Sequence, residues 1–304
     1  MKKVFITYGD EKYRQARDFS LWMAEHFGKF DETIAYSPQD IDDDFKKKNE
    51  CIFSYKRGAG LWLWKPYIIN KTLKYVSFGD IVFYCDAGAF IFRNVKHILK
   101  SISGSDFWIC DLPLAEKFFT KPLCFTKMEC NSDDFKETPQ RFATFMAIRK
   151  SPQTIKLVSE WLLYSQNLEL ISPEKTDDPF MFHREDQSIL SLLTKKYKID
   201  THYDPSIGGL YPEINYVKEV KPIITYHRRE YPLCMVIHKN PKVGSFLIAK
   251  EMMKILCPKF LFKIYMKHKL LKFTPPRKLI LSNRELLQGT YKWICCHRTE
   301  RMVA

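Results

Sequence analysis

Residues 58 to 93 contain the first side chains in the sequence whose types and spacing could do chemistry. A run of five apolar or aromatic residues, Ile81 to Cys85, ends abruptly in Asp86-Ala87-Gly88. Such a run without alternation is typical of a strand buried on both faces of a parallel sheet. A carboxylate at the C-terminal end of that strand, followed by small residues that let a ligand approach the backbone, is typical of the ligand crevice of open α/β sheets. Asp86 therefore indicates a binding site. The alternative is that it only opens a turn, because Asp and Gly are common turn residues.

The segment before this strand strengthens the interpretation. A Gly58-Ala59-Gly60 turn precedes Trp62, Trp64, Lys65 and Pro66, and residues 67–76 have the pattern of a short amphipathic helix. The order of Gly-rich turn, Trp-Lys-Pro, helix, Gly-Asp, apolar strand and Tyr-x-Asp-Ala-Gly resembles the nucleotide-sugar-binding half of GT-A-type glycosyltransferases. It is most similar to those encoded for bacterial surface polysaccharides such as capsule or O-antigen.

The resemblance implies a metal at the strand end. In that superfamily an Asp-x-Asp motif holds a divalent cation on the diphosphate of the donor, and here Asp86 matches its first carboxylate while Gly88 stands in place of the second. One carboxylate is a weak site for a hard cation unless other oxygens or a His join it. The resemblance supplies such a residue in His227, a late His that follows the predicted strand 223–226, although a solvated basic turn explains His227-Arg228-Arg229 equally well. We therefore expect Mn²⁺ or Mg²⁺ at Asp86 and His227, with the need for metal left open by Gly88.

The resemblance also implies the groups that bind a nucleotide-diphosphate sugar. Thr7, Tyr8 and Gly9, at the end of the first predicted strand, would lie near a uracil or guanine base, although a plain strand end explains them nearly as well. Lys65 and Arg228 are cations suited to phosphate oxygens. The diphosphate would lie against Asp86-Ala87-Gly88, and we expect a UDP-sugar rather than a GDP-sugar.

A second candidate element lies about 100 residues downstream. The string His183-Arg184-Glu185-Asp186-Gln187-Ser188 precedes an apolar run at 189–193 that predicts a helix, so Asp186 and Gln187 fall at its N-terminus. An Asp at this place is explained by a helix N-cap. The string also resembles the Asp-Gln element of several GT-A families, whose Asp faces the acceptor sugar or the donor C1. The resemblance makes Asp186 and Gln187 candidate catalytic residues, with Asp186 as the base if the enzyme inverts.

The elements that must position these residues follow from periodicity. Apolar runs predict strands at 3–8, 34–36, 106–111 and 142–148, and helical spacing predicts helices at 14–27 and from Ser151-Pro152 onward. This βαβ patterning predicts an α/β fold with a parallel sheet, and the resemblance implies a GT-A-like, mostly parallel central sheet flanked by helices. Residues 112–139 lack periodicity and are interpreted as a functional flap or as short elements misread together.

The composition changes near residue 245. The net charge is +14, and residues 251–304 hold 12 Lys and Arg against 3 Asp and Glu. Lysines at 259, 263 and 267 share one helical face among long aliphatic residues, which indicates either an interfacial helix drawn to anionic lipid or a helical lid with its lysines in water. We predict a catalytic domain at 1–245, with a donor half at 1–111 and an acceptor half at 112–245, and a basic helical extension at 246–304.

The composition also limits the classes of protein. Hydrophobic residues at 45% and aromatics at 15% exclude general disorder, and nine cysteines without metal-type spacing indicate reduced thiols. No apolar stretch is long enough for a signal peptide or a membrane span. We expect a cytoplasmic protein, peripheral at the inner face of the cell membrane through its C-terminal region.

Three functions remain open from the sequence. The first is a glycosyltransferase that moves a hexose to a surface-glycan or lipid-linked acceptor. The second is an inactive GT-A scaffold that assembles with a partner, which the missing second Asp favours. The third is a nucleic-acid-binding protein that uses the basic tail. We do not expect nucleic acid as a partner, because the lysines alternate with aliphatic residues and no binding module is recognised.

Overall fold

Residues 1–243 of the computed structural model contain a central sheet of five strands. The structure describes residues 1–102, 104–173, 182–210, 212, 223 and 231–256. The strands within these ranges are β1 (Lys3–Tyr8), β2 (Glu32–Tyr36), β3 (Ile81–Cys85), β4 (Ala89–Ile91), β5 (Phe107–Trp108), β6 (Asp111–Ala115), β7 (Pro139–Arg141), β8 (Phe145–Arg149) and β9 (Met235–Ile237).

Helices make up most of the other regular elements. Those in the described ranges are α1 (Arg14–Met23), α2 (Asp43–Lys48), α3 (Glu50–Phe53), the single turn α4 (Gly58–Leu61), α5 (Trp64–Tyr75), α6 (Lys96–Ser101), α7 (Pro122–Lys127), α8 (Asp133–Lys136), α9 (Pro152–Ser165), α10 (Leu168–Ile171), α11 (Glu185–Lys196), α12 (Ile207–Leu210) and α13 (Ser245–Leu256). A π-helical turn at Ala24–Gly28 continues α1.

The sheet is mixed. Its order is β2-β1-β3-β8-β5, in which β1 pairs in parallel with β2 and β3, while β8 pairs antiparallel with both β3 and β5. The predicted α/β class with a helix-flanked central sheet is confirmed. The parallel part is confined to β2, β1 and β3. Direction could not be predicted for β8, because a strand buried between two neighbours has the same apolar run whichever way it points.

Helix packing and stacked aromatic rings both stabilise the sheet. On one face α5 packs against α9, and α9 packs against α11, with Ile68, Leu157 and Ile189 fully buried. Elsewhere in the sheet, aromatic rings stack across strands: Phe83 has its ring centroid 6.3 Å from that of Phe5 and 6.2 Å from that of Trp108. A buried ring of this size contributes roughly 1.5–3 kcal/mol. This packing fixes the strand ends that carry the candidate site.

Two predicted segments differ from the structure. Residues 106–111 are two short strands, β5 and the start of β6, because Asp106 has φ of +55° and the chain leaves the main sheet after Trp108. Residues 112–139 contain most of β6, a 3-10 turn at Glu116–Phe118, α7 and α8, and β7 begins at Pro139. The second of the two interpretations of this segment is therefore correct. Elements of three to six residues are too short to show a period.

A two-stranded sheet connects the end of β3 to a distant part of the chain. Strand β4 follows Gly88 and pairs antiparallel with β9, with Ala89 opposite Ile237 and Ile91 opposite Met235. This sheet places His238 beside Gly88, whose carbonyl oxygen accepts hydrogen bonds from the backbone N–H groups of His238 and Lys239 at 2.8 Å each.

The chain divides into two compact units, Met1–Val243 and Gly244–Ala304. The first contains all the strands given above. In the second, the structure describes α13, in which Lys254 pairs with Glu251 at 2.5 Å and Phe246, Met253 and Leu256 are exposed. The predicted lysine face at 259, 263 and 267 lies outside the described residues. No helix of the described part of the chain is long and apolar enough to cross a membrane.

Candidate active site

Asp86 lies where the β3 ladder ends. Cys85 is the last paired residue of the strand, opposite Phe145, and the Asp86 backbone N–H donates to the Thr144 carbonyl oxygen at 2.8 Å. Its Oδ1 accepts a hydrogen bond from the Tyr84 hydroxyl. The side chain is 29% exposed, in contrast to the buried strand that precedes it. Asp86 is therefore the point at which the buried strand presents a carboxylate to solvent.

Lys65 joins Asp86 to the second candidate element. Its Nζ lies 3.2 Å from Asp86 Oδ1, 3.3 Å from Asp186 Oδ2 and 3.2 Å from the Ala143 carbonyl oxygen, to which it donates. Lys65 is 3% exposed. Burial opposes its charge, but Asp186 and Asp86 outweigh that effect and the pKa of Lys65 is raised. Two carboxylates 100 residues apart in sequence thus share one buried ammonium group.

Asp186 is the more buried of the two carboxylates. It lies in the first turn of α11, where the N-cap is Arg184, so the alternative of a helix cap is not what the structure shows. Burial raises the pKa of Asp186 to about 7, although Lys65 lowers it. Its Oδ2 is within ion-pair distance of Lys65 but makes no hydrogen bond to a described residue. A carboxyl group that titrates near neutral pH can accept a proton in general base catalysis.

Backbone contacts hold the start of α11 in place. The Trp161 indole N–H on α9 donates to the Asp186 carbonyl oxygen at 3.0 Å. Gln187 Oε1 accepts from the Ala143 N–H at 3.3 Å, and its Nε2 donates to Gln140 Oε1 at 2.8 Å. The amide of Gln187 therefore connects α11 to the segment before β8, the same segment that Lys65 contacts through Ala143.

The end of β1 forms an aromatic wall beside Lys65. The ring of Tyr8 stacks on that of Trp64 with centroids 3.8 Å apart, and the Trp64 indole N–H donates to the Gly58 carbonyl oxygen at 2.8 Å. Thr7 is buried, and its Oγ1 has no hydrogen-bond partner among the described residues. Gly9 has no room for a side chain, because a Cβ there would lie 2.9 Å from the Cβ of Arg17.

The α4 turn that leads into Trp64 has a left-handed backbone. Five consecutive residues, 58 to 62, have positive φ values between +49° and +96°, and only two of them are glycines. Each non-glycine residue in this conformation costs roughly 1–2 kcal/mol. Strain of this kind persists where the surrounding structure holds it, and it concentrates at functional sites.

An ion pair ties this turn to α11. Arg57 Nε donates to Glu185 Oε1 at 2.6 Å, and Glu185 is buried with a φ of +36°. Burial raises the pKa of Glu185, although Arg57 lowers it. The sequence analysis did not predict this pair. The only signal in the sequence is that each residue adjoins a predicted site segment: Arg57 directly precedes the Gly-rich turn, and Glu185 directly precedes Asp186.

Of the two predicted metal ligands, the structure describes Asp86 but not His227. The described residues contain no group of three His, Cys, Asp or Glu side chains close enough to hold a metal. Gly88 also has a steric reason to lack a side chain, because a Cβ there would lie 3.0 Å from the Lys239 Cα.

Two predicted residues, His227 and Arg228, lie outside the described residues, as do residues 224–226 of the predicted strand at 223–226. The His that the structure does place next to the Asp86-Ala87-Gly88 turn is His238, which sequence reasoning missed. His238 follows the short apolar run of β9, and that run was the available signal. Four of the other predicted residues lie close together beside the Ala143–Thr144 backbone: Lys65, Asp86, Asp186 and Gln187.

No protein-family model matches the sequence, and no curated protein matches it. The structure is similar to that of mouse xyloside xylosyltransferase 1, with 9% identity and a TM-score of 0.45 over 80% of this chain and all of that one.

Two other similar structures are also those of glycosyltransferases. The galactosyltransferase LgtC with donor and acceptor sugar analogues is 11% identical, with a TM-score of 0.44 over 84% of this chain and 98% of that one. GlyE of Streptococcus pneumoniae TIGR4 is 14% identical, with a TM-score of 0.41, and the match spans 88% of this chain but only 64% of GlyE. Likeness at this level concerns the fold and does not assign an activity.

Proposed function

We propose that the protein is a glycosyltransferase that moves a hexose from a nucleotide-diphosphate sugar, UDP-linked rather than GDP-linked, to a surface-glycan or lipid-linked acceptor. The observation that supports this proposal is the shared buried ammonium of Lys65. It brings Asp86, at the C-terminal edge of β3, to the Asp186-Gln187 pair at the start of α11. The sequence resemblance implies that these two elements lie at one site. The contacts that join them in the structure do not involve a metal.

The chemistry requires a stabilised leaving diphosphate and an acceptor hydroxyl that can lose its proton. In the proposed arrangement Asp86, the more exposed carboxylate, faces the donor. Asp186 accepts the acceptor proton if the reaction inverts, because its pKa lies near 7, or contacts a sugar hydroxyl if the reaction retains. Lys65 holds the two carboxylates close to one another. A direct contact of Lys65 with phosphate remains a prediction, since it requires Lys65 to exchange one of its three oxygen partners.

The remaining donor contacts are proposed on the same basis. Thr7, Tyr8 and Gly9 end the strand next to β3, and the Tyr8–Trp64 stack forms a flat aromatic surface there. We propose this wall as the neighbourhood of the nucleobase. A divalent cation, Mn²⁺ or Mg²⁺, would be held by Asp86 with His227 as the predicted further ligand, and it would neutralise charge on the leaving diphosphate.

The test is hydrolysis of UDP-sugars and GDP-sugars by the full chain, with and without Mn²⁺. Asp86→Ala is expected to lower turnover by at least about 100-fold, as removal of a group that stabilises transition-state charge does. Asp106→Ala is the matched control, because Asp106 is a partly exposed carboxylate that pairs with Arg149 away from the site. Full activity in Asp86→Ala would overturn the proposal.

A second function is favoured by one observation. Gly88 cannot supply the second carboxylate of the motif without displacing the Lys239 backbone. A scaffold protein that has lost catalysis but still binds the donor would tolerate the loss of this second carboxylate. Donor binding by calorimetry without turnover, with or without Mn²⁺, would favour the inactive scaffold.

A further inference from the structure

A cleft of about 560 Å³ lies away from the candidate active site, beside the π-helical turn at Ala24–Gly28 and the loop after β4. Phe27 and Phe92 give it apolar walls. Every titratable side chain that lines it is basic or a histidine: His26, Lys29, Arg93, Lys96 and His97. None of the described lining residues is acidic, so the cleft has a uniformly positive or neutral lining.

The lysines and the arginine of this cleft have no carboxylate partner among the described residues. Lys3, and not Lys29, pairs with Asp31, and within the described ranges no carboxylate oxygen lies within 4.0 Å of the side-chain nitrogens of Lys29, Arg93 or Lys96. All three are exposed. Cations that converge on a concave surface without acidic partners attract anions. Paired surface cations elsewhere in the chain, such as Lys117 with Glu137, do not have this property.

The aromatic groups narrow the class of ligand. Trp22 and Phe27 are 47% and 42% exposed, and the Trp22 ring stacks on His26 with centroids 4.3 Å apart. Exposed aromatic faces provide flat apolar contact to rings that carry polar groups at their edges. The cleft is open and shallow, and its volume near 560 Å³ has room for a few sugar rings.

The position of the cleft relates it to the Asp86 turn. The segment from Gly88 to Phe92 contains β4 and spans about 13 Å at the usual rise per residue of a strand. Strand β9 runs in the opposite direction, from the neighbourhood of Pro232 to His238. One small sheet thus has the candidate active site at one end and the basic cleft at the other. This spacing suits a chain-like ligand.

We infer that this cleft binds an acidic saccharide, with its carboxylate or phosphate on Arg93, Lys96 and Lys29 and a sugar ring against Phe27. If the proposed glycosyl transfer is correct, the ligand is a distal part of the acceptor glycan. The binding itself does not depend on that function.

The test measures binding of a labelled oligogalacturonate to the full chain by fluorescence anisotropy. The double variant Arg93→Gln/Lys96→Gln is expected to weaken binding about fivefold or more, as the loss of two charge contacts does. The control Lys47→Gln/Lys48→Gln removes the same charge from exposed residues of α2 and is expected to leave binding unchanged. Raising the salt from about 0.05 M to about 0.3 M should weaken the wild type more than the Arg93/Lys96 variant.

A second variant separates a saccharide from a free anion. Phe27→Ala should weaken binding of the oligogalacturonate and leave binding of inorganic phosphate unchanged, since Phe27 offers only apolar contact. Equal binding of a neutral oligosaccharide, equal loss in both double variants, or binding only to anionic vesicles or single-stranded DNA would overturn the inference. Hydrolysis of a UDP-sugar without acceptor should be unchanged in Arg93→Gln/Lys96→Gln. Failure of that hydrolysis in the wild type would count against the proposed function alone.

Discussion

Lys65 is a buried cation with three oxygen partners. Its contacts determine how the site responds to substitution and to pH. An ammonium group carries three N–H donors, and here they face Asp86, Asp186 and the Ala143 carbonyl. The charge is retained in a buried place because two carboxylates offset the loss of hydration. The consequence at the scale of single residues is that neither carboxylate can be understood without Lys65.

Lys65→Met is expected to lower the free energy of unfolding by about 3–5 kcal/mol, because it leaves two neighbouring carboxylates without their buried partner. The loss should be larger at pH 8 than at pH 5, since Asp186, with a pKa of about 7, is protonated at the lower pH. Urea denaturation at both pH values measures it. Lys74→Met, an exposed lysine on the same helix, is the control and should change stability little. An equal loss at both pH values would contradict the conclusion that Lys65 pairs with an Asp186 carboxyl group whose pKa is about 7.

Asp186→Asn is expected to remove a pH dependence that the wild type shows near neutrality. If Asp186 accepts the acceptor proton, kcat/KM for transfer rises with pH through about 7 in the wild type, and the residual activity of Asp186→Asn lacks this rise. Initial rates at pH 5 to 9 measure it. A rise of the same midpoint in both proteins would assign the pH dependence to another group.

The same substitution also has a signature in stability. The pKa of Asp186 is higher in the folded state than in the unfolded state, so the folded protein binds the proton more tightly between about pH 4 and pH 7. Stability contributed by this group is therefore present below pH 4 and is lost as pH rises through 7. The wild type should lose stability relative to Asp186→Asn over that range. This measurement does not require activity.

At the scale of elements, the left-handed turn α4 positions both walls of the site. Its Gly58 carbonyl accepts from the Trp64 indole, and the preceding Arg57 pairs with Glu185 at the start of α11. A strained turn is maintained only because contacts on both sides hold it. Here those contacts are the stack of Trp64 on Tyr8 and the buried carboxylate of Glu185.

Gly60→Ala is expected to lower the free energy of unfolding by about 1–3 kcal/mol. Gly60 has φ of +96°, and a Cβ there would lie 2.6 Å from Phe53 Cδ1 and 3.2 Å from Phe53 Cα. Gly79→Ala is the matched control, because Gly79 has φ of +86° but no atom within 4 Å of its Cβ position. It should lose about 1 kcal/mol. Urea denaturation compares the two. An equal loss would mean that backbone conformation alone, and not the packing on Phe53, sets the penalty.

The elements that the sequence predicted well are those with a strong local signal. Strand β3 has an unbroken apolar run, and α9 begins with a Ser151 capping box followed by Pro152. The antiparallel pairing of β8 and the short elements between 111 and 141 have no such signal. In the site, the Asp86 and Asp186 segments could be named from motifs. The Arg57–Glu185 contact was missed, because residues 128 positions apart leave no spacing pattern and the only signal was that each residue adjoins one of the motifs.

At the scale of the whole molecule, charge is distributed unevenly along the chain. Residues 251–304 hold 12 Lys and Arg against 3 Asp and Glu, out of a net charge of +14. In the described part of the second unit, α13 exposes Phe246, Met253 and Leu256. Exposed apolar side chains followed by a basic segment are the combination that binds anionic membrane surfaces. The predicted boundary at residue 245 stays a prediction.

The full chain is expected to bind vesicles that contain anionic lipid and to release them as salt rises, because screening weakens the attraction of the basic segment. Cosedimentation with anionic and with neutral vesicles measures it. Replacing Lys259, Lys263 and Lys267 with Gln should reduce the binding, whereas the control Lys46→Gln/Lys47→Gln/Lys48→Gln should not. Salt-sensitive binding to DNA without binding to vesicles would favour the nucleic-acid alternative instead.

The Tyr8–Trp64 stack has a practical consequence. An indole whose ring packs 3.8 Å from a phenol and stands next to the ammonium of Lys65 has an emission spectrum that responds to any new neighbour. The chain carries six tryptophans, so a Trp64→Phe variant would isolate the signal of this one by difference. The protein thus contains an intrinsic fluorophore at the edge of its candidate active site, and we expect a titration with unlabelled nucleotide to test the proposed donor binding through it.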